Sequence, residues 1–148
     1  MAAKTDPVAK ARIVILADDG PLALLSRKRA EGKPKHGKLE MLGGHLEPDE
    51  TPLQALIREL GEEEATGALA EMVARQAPGF RTLIVDEAPH HLFEIRLTAV
   101  DCAGLIHDPG ESLGFGRVPL AELAAGVHRD ELTWRTQRIF EAFGHAPP

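Results

Sequence analysis

The chain has 148 residues, of which 43% are apolar and 27% charged, with a formal net charge of −6 and one cysteine, Cys102. That length suits one domain around one core, and the apolar share excludes a chain too polar to fold. The acidic balance argues against a nucleic-acid polymer as partner, a lone cysteine excludes an intrachain disulfide, and no apolar run reaches the length of a membrane span.

Residues 1–10 contain no signal-peptide core, so the expectation is a cytoplasmic protein forming a single domain over 1–148, with loose ends at about 1–10 and 144–148. Residues 12–17 (RIVILA) are a β-branched run that predicts a buried strand. Asp18, Asp19, Gly20 and Pro21 mark a turn, and residues 22–26 (LALLS) predict the returning strand of a hairpin. Residues 27–38 are basic and interrupted by Gly and Pro, which predicts a loop; a short strand over 39–42 then leads into Gly43 and Gly44.

The best-defined element follows. Thr51 precedes Pro52, with Gln54 three places on, which is a capping box with proline in the first helical turn. Leu53, Leu56, Ile57 and Leu60 then recur at i, i+3, i+4 and i+7, and Gly67 reads as the stop. Gly61 inside this helix costs about 1 kcal/mol relative to alanine, for which close approach of another backbone would be a reason. Further on, residues 81–85, 91–100 and 115–118 predict strands, 119–125 a short helix, and 130–143 a longer one with Leu132, Thr136, Ile139 and Phe143 on one side. Strands and helices mix without a regular βαβ alternation, so the fold class is α+β or an α/β/α sandwich.

The acids on the helix after Thr51 carry the chemistry. At about 100° per residue, Glu59 and Glu63 fall within about 40° of each other at the edge of the apolar face, and Glu62 lies about 60° from Glu59 on the solvent side. Like charges at i,i+4 repel, and a hard cation such as Mg²⁺ or Mn²⁺, which prefers carboxylate oxygens, relieves that repulsion. Glu64 falls near the apolar face and is a poor ligand. The glycine pair lets the backbone approach a ligand closely. Arg58 can fork onto Glu50 and hold the loop against the helix.

The stretch 44–67, GHLEPDETPLQALIRELGEEEATG, resembles the Nudix box, with Gly44, Glu50, Arg58, Glu59, Leu60, Glu62 and Glu63 at the expected spacing. It departs where the family has a glycine at position 65: Ala65 stands there, and the glycine is Gly67. The resemblance implies a Nudix fold, a mixed sheet between helices, and Mg²⁺-dependent hydrolysis of a diphosphate linkage in a nucleoside diphosphate joined to another moiety, with Mn²⁺ as a substitute metal. It implies that Glu59, Glu62 and Glu63 bind metal with the Gly43 carbonyl nearby, and that Gly44 and Glu50 are structural. Arg58, Glu62, Glu63 and Glu111 are the catalytic candidates. The general base is left open between Glu62 and Glu111, the latter in a loop after the box. The partner implied is a small phosphoanhydride, and a homodimer is open because relatives often pair.

For substrate contacts the candidates are Arg27, at the end of a strand, and His45 and Glu47 beyond the glycine pair. Adjacent His90 and His91 point to opposite faces of a strand, one toward the core and one exposed. Cys102 reads as structural. Trp134 reads as packing, which leaves Phe80, Phe93 and Phe115 as the few aromatics for stacking a base. Three rival readings stand beside the hydrolase: a catalytically inactive Nudix-fold module that binds nucleotide, an isomerase or other transferase on the same fold, and a plain acidic interaction domain.

Overall fold

The computed structural model describes residues 8–145, and of 143–145 the backbone only. The helix position expected for Phe143 is therefore filled, but its side chain lies outside the described residues. So do most of the expected loose ends; where they are described, Lys10 already opens a strand and residues 144 and 145 close a helix.

The chain runs β1 (Lys10–Ala17), β2 (Leu22–Lys28), β3 (Leu39–Glu40), β4 (Leu42–His45), α1 (Pro52–Glu63), α2 (Ala68–Gln76), β5 (Phe80–Val85), β6 (Ala88–Leu97), α3 (Ala99–Ala103), β7 (Ser112–Pro119), α4 (Leu120–Ala125) and α5 (Trp134–His145), with a 3₁₀ turn at Arg129–Glu131 before α5. The strands form one mixed sheet. Fully buried β1 lies at its centre, parallel to β6 from Lys10↔His90 to Ala17↔Leu97. Its other edge is divided: β2 pairs at Leu16↔Ala23, and β4 pairs over Lys10↔His45 to Ile13↔Leu42. Where β1 leaves one partner for the other, the sheet parts and a cleft opens.

Alternation along β1 and β6 feeds two cores. Ile13, Ile15, Phe93 and Ile95 pack under Leu56 and Leu60 of α1 and Leu69 and Val73 of α2. Val14, Leu16 and Leu92 pack under Leu123 of α4 and Ile139 and Phe140 of α5. The result is the expected α/β/α sandwich. Each fully buried leucine contributes roughly 1.5–3 kcal/mol.

Several sequence expectations move. The strand expected over 39–42 is broken at Met41, whose amide bonds the Thr136 hydroxyl, and the glycine pair belongs to β4. Helix α1 stops at Glu63 rather than Gly67, because Glu64 is extended; Gly67, at φ 80, instead starts α2, a helix the sequence reading missed. Residues 99 and 100 open α3, where the Thr98 hydroxyl accepts from the Asp101 amide. The strand expected over 115–118 begins at Ser112, and the helix expected from 130 begins at Trp134. No backbone approaches Gly61, where a Cβ would meet nothing within 4 Å. His90 is fully buried, with no hydrogen-bond partner on either ring nitrogen among the described residues, and burial pushes its pKa down to about 4. His91 is half-buried rather than exposed, bonded to Thr82 and edge-on to Phe80.

Candidate active site

The start of α1 is locked by short-range contacts. The Thr51 hydroxyl accepts from the Gln54 amide at 3.2 Å, and the Gln54 side chain accepts from the Thr51 amide at 3.0 Å, the reciprocal box that spacing predicted. Arg58 then reaches back across the loop. Its Nε and Nη2 donate to the two oxygens of Glu50 at 2.8 and 2.9 Å, Nη2 also donates to the His45 carbonyl at 2.9 Å, and Nη1 donates to Glu59 at 3.0 Å. Glu50 in turn accepts from the Glu47 amide at 2.9 Å. This fork holds the Glu50 carboxyl below the usual range and lifts the Arg58 guanidinium further above its own. Loop 45–50 and helix α1 are thereby one unit.

The glycine pair sets the spacing between β4 and its neighbours. Gly43 has φ 121, and a Cβ there would fall 2.0 Å from the Ala11 carbonyl oxygen. At Gly44 a Cβ would lie 2.4 Å from the Glu59 carboxyl carbon, so the absence of a side chain makes the cradle in which that carboxylate rests. The Gly43 amide donates to Glu63 at 3.0 Å.

These groups line a cleft of about 330 Å³ formed by Arg12, Ser26, Lys28, Glu40, Met41, Gly43, Gly44, His45, Glu59, Glu63 and Glu111. Of the candidates read from sequence, Gly43, Gly44, His45, Glu59, Glu63 and Glu111 meet here. Glu62 stays on the exposed flank of α1, with one oxygen 3.6 Å from Arg58. Glu47 is exposed at the rim, 4.0 Å from Arg58. Arg27 points elsewhere and donates to the Gly37 carbonyl, pinning its own loop. Alternation along β2 explains this, since Ser26 and Lys28 take the cleft side and Arg27 the other.

Sequence reasoning chose Arg27 from the basic stretch 27–38 as the phosphate contact, where Lys28 takes that place, and missed Arg12. Arg12 is buried at the N-terminal end of β1, donates to the Met41 carbonyl at 3.0 Å and lies 3.9 Å from Glu40. Lys28 pairs with Glu40 at 3.1 Å. Its signal was present in the charge at the end of the β2 run, one residue beyond the arginine selected.

The acids differ sharply in state. Burial is the main influence on Glu63; although the Gly43 amide and Arg12 oppose it, Glu59 and Glu40 add to it, and the pKa is pushed up to about 8. Its neighbour Glu64 is also buried, and burial pushes it up. Hydrogen bonds from the Ile106 amide at 2.9 Å, the Thr66 hydroxyl and amide, and the Leu69 amide at 3.3 Å outweigh that and hold it below the usual range. Glu64 is thus an anchor. With the bonds from Ala65 to Ile106 and from Asp108 to Glu63, it ties the end of α1 to the loop carrying Glu111, which Arg29 grips through the Pro109 carbonyl at 2.6 Å.

A divalent cation fits this donor chemistry. Glu59 and Glu63 are hard oxygen ligands that line one cleft, the first resting in the cradle left by Gly44 and the second bonded to the Gly43 amide. Among the described residues, no group of three or more His, Cys, Asp or Glu is gathered into a ready metal cage. The expected trio is represented in the cleft by two of its members.

A family model described as the NUDIX domain matches residues 6–143. No curated protein matches the chain. Among solved structures, the chain resembles the MutT protein from Methanosarcina mazei Go1, with 18% identity, TM-score 0.65 and 96% of each chain covered. It also resembles a bifunctional NMN adenylyltransferase/ADP ribose pyrophosphatase from Francisella tularensis complexed with AMP and a Mn ion, with 18% identity and TM-score 0.69, covering 96% of this chain and 42% of that one. The NUDIX domain of Shewanella oneidensis NrtR, complexed with ADP ribose, is similar at 15% identity and TM-score 0.62, covering 93% of this chain and 86% of that one. At these identities the likeness is one of fold.

Proposed function

The chain belongs to the Nudix domain family, and from that membership we propose that it is a Mg²⁺-dependent hydrolase of a diphosphate linkage in a nucleoside diphosphate joined to another moiety. The observation that carries this reading is the meeting of Glu59 and Glu63 in a cleft that Arg12 and Lys28 also line. A diphosphate is an anion that must be neutralised before a nucleophile can approach it, and this cleft offers both means.

Glu59 and Glu63, with Gly43 beside them, are the groups that would hold the metal. When bound, the metal withdraws charge from the phosphate oxygens and favours departure of the leaving phosphate. The remaining chemistry falls to the chain itself. Lys28 and Arg12 attract the anionic substrate to the cleft. Arg58 keeps Glu59 and loop 45–50 in place, acting as a positioning residue. Glu111, carried into the cleft by a loop bonded to the end of α1, is the preferred base to take a proton from the attacking water. Glu62 is the second candidate, disfavoured by its exposed position outside the cleft lining. His45 lines the cleft and can contact substrate, and Glu47 at the rim is in reach of a larger one.

The reading is tested by measuring phosphate-containing products from a panel of sugar nucleotides, dinucleoside polyphosphates and nucleoside triphosphates with and without Mg²⁺ or Mn²⁺. Cleavage that requires the metal and fails in Glu63→Gln supports it. Nucleotide binding without turnover on any member of the panel would instead favour a binding module.

A further inference from the structure

Trp134 is the only tryptophan in the chain. Expected to pack, it is instead 64% exposed at the first turn of α5. The Arg138 guanidinium lies over its ring at 5.2 Å from the centroid, so the indole is held in orientation while most of it faces solvent. An aromatic surface of that size costs free energy in water unless something covers it.

Trp134 stands between two grooves. One, of about 370 Å³, is lined by Pro34, Lys35, Lys38, Glu40, Thr133, Trp134 and Arg135. Glu40 also lines the cleft at Glu59 and Glu63, so the two cavities border on the same residue. The other, of about 400 Å³, runs along the far side and includes Arg129, Gln137 and Arg138. Gln137 is almost wholly buried, and its side-chain carbonyl has no donor among the described residues, because its amide nitrogen is turned to Glu141 at 3.2 Å. The wall between Trp134 and the cleft is cationic: Lys38 spends one donor on the Asp130 carbonyl at 3.2 Å, and Lys35 and Arg135 join no ion pair among the described residues.

We propose that Trp134 is the stacking platform for the base of a nucleotide substrate, whose phosphates pass over Lys35 and Lys38, beside Glu40, into the cleft at Glu59 and Glu63. The chemistry recognises a planar heterocycle joined to an anion. The indole supplies a π-face, Arg138 a cationic flank and the lysines the charge. The proposal rests on the hydrolase reading for the direction of the phosphates, and it makes Trp134 a specificity determinant distinct from the residues that perform the cleavage.

The sole tryptophan reports on its own occupancy. The protein is titrated without metal, in EDTA, with AMP, GMP, CMP, UMP, ribose 5-phosphate and inorganic pyrophosphate while indole fluorescence is recorded. At least one nucleoside monophosphate should quench saturably, the two ligands lacking a base should not, and Lys35→Ala should weaken the quench several-fold. In steady-state hydrolysis, Trp134→Leu should raise KM by roughly tenfold or more with kcat within about twofold. No quench by any of the four up to millimolar concentration overturns the proposal, as does a quench accompanied by an unchanged KM in Trp134→Leu. Quenching by a protein that hydrolyses nothing overturns the direction of the phosphates and the hydrolase reading together, whereas normal hydrolysis without quench overturns the platform alone.

Discussion

The two ends of α1 are built by different means. At its N-terminal end the contacts are mostly local: Thr51 with Gln54, Glu47 with Glu50, and Glu50 with Arg58 pair at separations of 3, 3 and 8 residues, and Arg58 reaches the His45 carbonyl across 13. At its C-terminal end local bonds from Thr66 and Leu69 to Glu64 are joined by remote ones. Glu64 meets Ile106 across 42 residues, and Glu63 meets Gly43 across 20. The first end is a scaffold that could form early and almost alone. The second exists only when three distant segments have converged, and that convergence is what brings Glu63 and Glu111 into one cleft.

The contrast is tested most severely by Glu63→Gln. The amide side chain keeps the bond from the Gly43 N–H but cannot ionise to bind a cation, so turnover should fall roughly a hundredfold or more while circular dichroism is unchanged. Because the group is buried and crowded by other acids, thermal stability without metal should not fall, and a large loss would mean that this residue is structural.

Glu64→Gln should do the reverse to the same turn of helix. An amide turned toward three backbone donors leaves some of them unpaired, at a cost of about 2 kcal/mol in denaturant unfolding. Its pH dependence sharpens the assignment. A carboxyl held below its unfolded value of 4.5 contributes stability that is present above that pH and lost as pH falls through the folded value. The gap between wild type and Glu64→Gln should therefore narrow as the solution is acidified below about 4.5, and a gap independent of pH would contradict the role given to this carboxylate.

At the other end, Arg58→Lys keeps a charge but cannot reproduce the fork. A loss of about 1–2 kcal/mol is expected, together with lower turnover, since Glu59 loses its guide. Least of all, Gly61→Ala on the exposed side of the last turn should stabilise the protein by up to about 1 kcal/mol, read as a rise in melting temperature with kcat unchanged.

The same division decides what could be read from sequence. Spacing within one helix announced the capping box, the Arg58–Glu50 fork, and the shared flank of Glu59 and Glu63. Glu62 was grouped with them because a helical wheel gives direction but not what lies opposite. The cleft opens toward β4, which meets Glu59 and Glu63 and leaves Glu62 beside Arg58. Helix α2 did leave a signal, Leu69 and Val73 at i,i+4, yet Gly67 was read as an end when its left-handed backbone makes it a beginning. Arg12 was hidden inside a hydrophobic run, since burial of its guanidinium depends on a carbonyl in β3–β4 that no local pattern reveals. Exposure of Trp134 follows from how α5 meets residues 34–40, again a relation between distant segments.

The parallel pairing of β1 with β6 carries a consequence for biosynthesis. The most water-averse strand of the chain is made first, but its full-length neighbour begins 78 residues later. At ordinary elongation speeds that is a wait of roughly 4–16 s before the partner is even polymerised. During that interval β1 has only the short hairpin contact with β2 and the strand β4 for company. Slow codons placed before β6 would lengthen the time for which the apolar β1 strand lacks its long partner.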